Sequence, residues 1–92
     1  MQVGICNLKI IVLDSASLKD KRSVVQSITR KLRNNFNVSV AEENLDSWKE
    51  AHLTVVSVNT EKDHLFSTLS KVVEFVKDDG RTILEDYNIE IL

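Results

Sequence analysis

The residues of this 92-residue chain that most clearly suggest chemistry are basic ones within one short stretch. Six basic residues and one acidic residue lie between Lys19 and Arg33, so this stretch has a net charge of +5. The whole chain has a net charge of −2, and the remaining residues therefore carry −7. Because Lys and Arg side chains bind phosphate groups, an anion-binding surface is the first hypothesis.

The basic stretch is predicted to be a helix from about Leu18 to Asn34. Ser17 and Asp20 have the spacing of a capping box, and Asn at the end tolerates the left-handed backbone common past a helix terminus. Apolar residues recur at helical spacing along one side. At about 100° per residue, four cations with Gln26 among them share an arc of roughly 80° on the opposite side. Together with the cation at position 21, the predicted anion- or RNA-binding residues are Lys19, Lys21, Arg22, Arg30 and Arg33.

Two interpretations of this helix face remain open. It binds successive phosphates of RNA, a ribosomal particle or another phosphate-rich partner, aided at its start by free backbone N–H groups. Alternatively it is a solvated surface, as charged helix faces usually are. Cations at a helix N-terminus also oppose the helix dipole, which weighs slightly against the functional interpretation.

The periodicity of the whole chain predicts the elements that position this helix. Alternating apolar residues indicate strands, and 3.6-residue spacing indicates helices. The predicted strands are 2–13, 36–41, 51–59 and 82–92, and the second helix is 61–79, ended by Gly80. In the last strand, the more apolar side holds Ile83, Tyr87, Ile89 and Ile91. The order βαββαβ predicts one α+β, ferredoxin-like domain over residues 1–92, with a four-stranded antiparallel sheet of order 4-1-3-2 and both helices on one face.

The sheet face away from the helices is a second candidate surface. Alternate residues of the first strand form a wholly apolar core side and a mixed side, and the mixed side would be exposed in a monomer. We therefore expect a homodimer or protein–protein adaptor through this face as the alternative function. The first and third strands contain no aromatic residue, which disfavours RNA binding by base stacking there. Trp48 either packs over the hairpin end or anchors a partner. The predicted interface residues are Val3, Ile5, Ile11 and Trp48.

Other constellations do not specify an enzyme. His52 and His64 lack metal-ligand spacing, and Cys6 lies on the predicted core face, away from either imidazole. Glu42 and Glu43 are adjacent in or near a strand, so they point to opposite faces. Two glycines cannot form a phosphate-binding loop. We therefore predict a non-catalytic protein without metal, cofactor or small-molecule substrate.

The location of the protein is predicted from what the sequence lacks. One cysteine and no signal peptide favour the cytoplasm. The longest apolar run near the start, 10–13, is far shorter than a membrane span, so no membrane association is expected.

Three stretches together resemble the YlxP-like family of small bacterial proteins, a domain of unknown function. They are 17–22 followed by Val24 and Val25, the run 36–42, and Asp46 with Trp48 leading into Ala51 and Leu53. The chain has Thr54 where the family commonly has Gly, and no Pro before Ser17. The resemblance implies a ferredoxin-like fold with no established activity or catalytic residue. It also implies a connection to RNA or the ribosome, because the family's genes often neighbour those for translation initiation and ribosome maturation.

Overall fold

A long first strand and three further strands form one antiparallel sheet in this computed structural model, which describes residues 1–43 and 45–92. The elements are β1 (Gln2–Val12), α1 (Leu18–Asn35), β2 (Ser39–Glu43), β3 (Glu50–Asn59), α2 (Lys62–Lys77) and β4 (Thr82–Ile91). The sheet order is β2-β3-β1-β4, which is the predicted order. The α+β, βαββαβ architecture is confirmed. The predicted polar connection 43–47 includes position 44, which lies outside the described residues.

The core lies between the sheet and the two helices, as the alternation in β1 predicts. Cys6, Leu8, Ile10 and Val12 are all almost fully buried. They meet the apolar stripes of α1 and α2, whose members recur every three or four residues. Gly4 continues this side of β1 where α2 passes closest, and a Cβ built there would lie 2.6 Å from Leu69 Cδ1. The core side of the sheet is therefore set by the two-residue period of β1.

The predicted start of α1 at Leu18 with Ser17 as its N-cap is confirmed, whereas the predicted C-terminal ends of both helices differ from those observed. Ser17 Oγ accepts the Asp20 N–H at 3.1 Å, but the Asp20 carboxylate accepts from the Ala16 N–H and does not close a reciprocal bond with Ser17. α1 ends at Asn35 with Phe36 in extended backbone, and the predicted left-handed Asn is not used. α2 ends at Lys77, two residues earlier than predicted, and Gly80 has no positive φ.

Phe36 also explains why β2 begins later than predicted. Its ring packs edge-on against Phe75 of α2, with centroids 5.9 Å apart, which pulls the first residues after α1 toward the helices. The Val38 N–H then turns back to the Phe36 carbonyl at 2.9 Å. Residues 36–38 are therefore a connection, and strand pairing starts at Ser39.

A bulge in β4 changes which residues share a face. Lys9 lies opposite Asp86 and Ile10 opposite Leu84, so one extra β4 residue, Glu85, interrupts the register. Ile83 consequently pairs with Ile11 on the sheet face away from the helices. The prediction that it lies on the same side as the later isoleucines was wrong, because the bulge reverses the alternation.

Candidate functional site

The basic side of α1 is exposed along its whole length. Asp20 occupies the first turn and Arg33 the last, and the residues between them place their apolar side chains on the sheet. From Lys19 to Arg33 the helix rises about 21 Å, at about 1.5 Å per residue. The exposed cations on this helix are Lys19, Arg22, Arg30, Lys31 and Arg33. None of them takes part in an ion pair among the residues that the structure describes. No described carboxylate therefore lies within ion-pair distance of these cations.

Lys21 does not belong to this surface, although the sequence analysis grouped it with the other cations. Its side chain is only 2% exposed. Its Nζ donates to the carbonyl oxygens of Leu45 at 3.1 Å and Glu50 at 3.2 Å. Lys21 therefore ties the start of α1 to the connection between β2 and β3, and its ammonium does not reach a solvent-side phosphate.

Two of the arginines line a groove between α1 and the edge strand β2. The groove has a volume of about 370 Å³, and its lining residues are Val25, Gln26, Thr29, Arg30, Arg33, Val40 and Glu42. Arg33 is held in place because its Nη2 donates to the Val40 carbonyl at 2.8 Å. Its remaining N–H groups can contact an anion, since guanidinium carries five donors. Glu42 supplies an acceptor in the same groove. Neither Thr29 nor Glu42 is connected to the basic face by the sequence pattern, because β2 meets α1 only in the folded chain.

The open face of the sheet is divided into two apolar ends by a polar band. Val3 and Ile5 lie beside Val58 and Val56 at one end, whereas Ile11 lies beside Ile83 at the other. Ile5 and Ile11 are six positions apart in β1, about 20 Å in an extended strand. Their side chains therefore belong to separate patches.

The polar band consists of two rows across the strands. Asn7 accepts from Thr54 at 2.9 Å and donates to Asn88 at 3.3 Å, which forms one row. In the next row His52 Nδ1 lies 3.0 Å from a Glu43 carboxylate oxygen. A partner that covered the whole face would have to bury this band. The apolar end with the valines is thus the part best suited to a protein contact.

Trp48 lies away from the sheet face, on the connection before β3. Its carbonyl accepts from Ser15 Oγ at 2.7 Å, and the same hydroxyl lies 3.0 Å from the Ser17 carbonyl. The indole is 58% exposed. The four predicted interface residues are therefore distributed over three places, and Trp48 lies near the start of α1.

The side chains considered as metal ligands or nucleophiles do not form a cluster in the described part of the chain. His64 lies 3.2 Å from Glu61 at the start of α2, and no three potential metal ligands converge within residues 1–43 and 45–92. Burial raises the pKa of the Cys6 thiol to about 11. None of the described helices is long and apolar enough to cross a membrane.

Comparison with known sequences shows the family of this chain. The model of the family described as "Protein of unknown function (DUF503)" matches residues 3–89. The chain belongs to this family. The Bacillus subtilis (strain 168) protein described as "Uncharacterized protein YlxP" is 29% identical over 75 residues, which cover 80% of this chain and 82% of that protein. The YlxP-like resemblance is therefore confirmed.

Two solved structures share the fold of this family member at low sequence identity. The de novo designed protein Foldit4 superposes with a TM-score of 0.54 at 12% identity, covering 100% of this chain and 97% of its own. A mutant of SnoaB, a cofactor-independent oxygenase from Streptomyces nogalater, superposes with a TM-score of 0.52 at 12% identity. The superposition covers 99% of this chain and 90% of the SnoaB chain. At such identity the likeness concerns the fold alone.

Proposed function

We propose that this protein is a non-catalytic binding module whose basic helix face binds RNA. The observation that carries the proposal is the row of exposed cations on α1, none of which forms an ion pair with a described carboxylate. Lys19 and Arg22 lie in the first turns, and Arg30 and Arg33 lie near the end of the helix. RNA is the polyanion proposed because the YlxP-like resemblance implies a connection to RNA or the ribosome.

The expected binding mode is electrostatic. Each cation that neutralises a phosphate releases a counterion, so four contacts to a single strand give a slope of log K against log salt of about −3. Arg33 is the best oriented of the four, since its bond to Val40 removes part of the side-chain entropy lost on binding. Lys21 is not expected to contribute, because its ammonium is already bound by two carbonyl groups.

The test is fluorescence anisotropy with a labelled single-stranded RNA at several salt concentrations. A variant with all four cations reversed, K19E/R22E/R30E/R33E, is expected to lose binding and the salt slope. The control has the same change of net charge at exposed lysines elsewhere, K9E/K49E/K62E/K71E. Equal binding by wild type and the helix variant, or equal loss in both variants, would contradict a site on α1.

A second candidate function is a homodimeric adaptor, which the apolar end of the open sheet face favours. Val58 is 46% exposed there, lies opposite Val3 of β1, and is next on this face to Ile5 and to Val56 of its own strand. Sedimentation analysis is expected to give a dimer that I5D dissociates and that I11D, at the distant end of the face, leaves intact. A wild-type monomer at roughly tens of micromolar would exclude a dimer of ordinary affinity.

A further inference from the structure

The outer edge of β4 adjoins an apolar groove that the basic helix does not share. α2 packs beside β4, and the groove between them has a volume of about 380 Å³. Its lining residues are Phe66, Ser70, Val73, Glu74, Tyr87 and Ile89. Phe66 is 53% exposed and Tyr87 is 44% exposed. An exposed strand edge beside an apolar groove is the arrangement in which proteins bind extended peptides as an added strand.

The main-chain groups of β4 that face outward follow from the hydrogen bonds on its inner side. The Leu92 N–H donates to the Val3 carbonyl at 2.8 Å, and antiparallel pairing alternates along the strand. Tyr87, Ile89 and Ile91 therefore direct their main-chain groups away from β1. The Tyr87 N–H donates to the Asp86 carboxylate at 2.9 Å. The outward groups of Ile89 and Ile91 have no such partner among the described residues.

The opposite edge of the sheet is closed in comparison. The Val12 N–H donates to the Lys49 carbonyl, so every second residue of β3 counted from Lys49, including Val55, directs its main-chain groups toward β1. Val40 of β2 lies opposite Val55, and its own main-chain groups therefore point away from β3, to the outside of the sheet. The Arg33 guanidinium donates a hydrogen bond to that outward carbonyl, which is then not free to pair with an added strand. β2 also has only five residues, whereas β4 has ten. Short strands and side chains placed over the edge are devices that block strand addition. Strand addition is therefore favoured at β4.

The charge of β4 indicates which residue types a peptide bound along its edge would contain. The strand contains Glu85, Asp86 and Glu90 and no Lys or Arg. Pairing with β4 of a second copy would bring these carboxylates together, and like charges on paired strands are destabilising. We propose that the β4 edge binds an extended peptide segment of another protein in which apolar and basic residues alternate.

Alternation of the bound segment follows from the two faces of β4. An added strand lies about 4.8 Å away, and its successive side chains point to opposite faces. Those on the helix side enter the groove beside Phe66, and those on the other side lie next to Asp86 and Glu90. At the rim of the groove, Lys77 Nζ lies 5.6 Å from the centre of the Tyr87 ring, which shows that this rim accommodates a positive charge. Lys77 in turn lies 3.7 Å from Glu74.

The experiment uses the full chain labelled with nitrogen-15 and a nine-residue peptide of alternating valine and lysine. Binding is expected to shift the amide signals of Ile89 and Ile91 most, and to slow their exchange with solvent. The F66S variant is expected to bind the peptide about tenfold more weakly, as loss of one buried aromatic contact at an interface typically does. The control is L13S, which removes an exposed apolar side chain just beyond the end of β1 that lies farthest from Ile89 and Ile91.

Each other outcome overturns the proposal. Equal affinity for a valine–glutamate peptide would remove the charge argument. Equal affinity for a peptide N-methylated at alternate residues would exclude strand addition. Signal changes confined to α1 or the open face, or no binding at about 1 mM peptide, would exclude the β4 edge as the site. A wild-type dimer that F66S dissociates would identify a second copy as the occupant instead.

Discussion

Replacement of Lys21 by methionine tests the structural role assigned to this buried cation. The methionine side chain keeps most of the aliphatic volume that packs between α1 and β3, but it cannot donate to the carbonyl oxygens of Leu45 and Glu50. The connection between β2 and β3 thereby loses its link to the helix. K21M is therefore expected to destabilise the fold while leaving the exposed basic face unchanged.

The size of the effect follows from the two bonds. A hydrogen bond from a charged donor contributes about 1.5–3 kcal/mol, and the variant no longer has to bury an ammonium group, which offsets part of the loss. We expect the free energy of unfolding to fall by roughly 2–4 kcal/mol. For a domain of this size that corresponds to a drop in Tm of roughly 10–25 °C.

The assay is urea unfolding followed by circular dichroism and by the emission of Trp48, the sole tryptophan. Trp48 lies on the connection that Lys21 holds, so its emission reports local loosening as well as global unfolding. The matched control is K31M, an exposed lysine on the same helix, which should change stability by less than about 0.5 kcal/mol. If K21M were as stable as K31M, the two carbonyl bonds would not be stabilising. If folded K21M lost RNA binding, Lys21 would belong to the RNA surface after all.

Three further predictions concern the core and one loop. G4A is expected to lower the free energy of unfolding by about 1–3 kcal/mol in thermal unfolding experiments, because the added methyl group would overlap Leu69. Unchanged stability would mean that α2 moves away without cost. The Cys6 thiol, with its pKa raised to about 11 by burial, should react with a thiol reagent at mildly alkaline pH only after denaturation. Hydrogen bonds from Arg81 lower the pKa of Asp79 in the folded protein. The charged carboxylate therefore stabilises the fold at pH values above the pKa of Asp79 in the unfolded protein, and this stabilisation is lost as the pH falls through its pKa in the folded protein. The stability difference between wild type and D79N should therefore shrink below about pH 4 in acid titrations, and a constant difference would contradict the ion pair's contribution.

The two proposed binding surfaces lie on opposite flanks of the sheet and carry opposite charge. α1 lies beside β2 and presents the cations, whereas β4 at the other edge presents carboxylates. The overall charge of −2 conceals this separation. If both proposals hold, the separation of the two surfaces predicts that a polyanion and a basic segment bind the same molecule without competition.

The order of elements and the sheet's core face were predictable from the sequence. Side-chain direction repeats every two residues in a strand and every 3.6 in a helix, so Cys6, Leu8 and Ile10 identify the buried side of β1 without any long-range information. The basic stripe of α1 follows from the same local geometry. These features depend only on neighbours along the chain.

Contacts between distant residues decided the rest. Lys21 is buried where the connection before β3 and the first residue of β3 supply two carbonyl groups, 24 and 29 residues away, and nothing in its sequence pattern distinguishes it from Lys19. Ile83 changes face because β4 takes its register from β1 through a bulge, which the alternation of its own residues does not reveal. The groove beside Phe66 likewise exists only where α2 packs on β4. Local periodicity therefore determined which side chains share an element's face, and tertiary packing determined which polar groups remain free to bind.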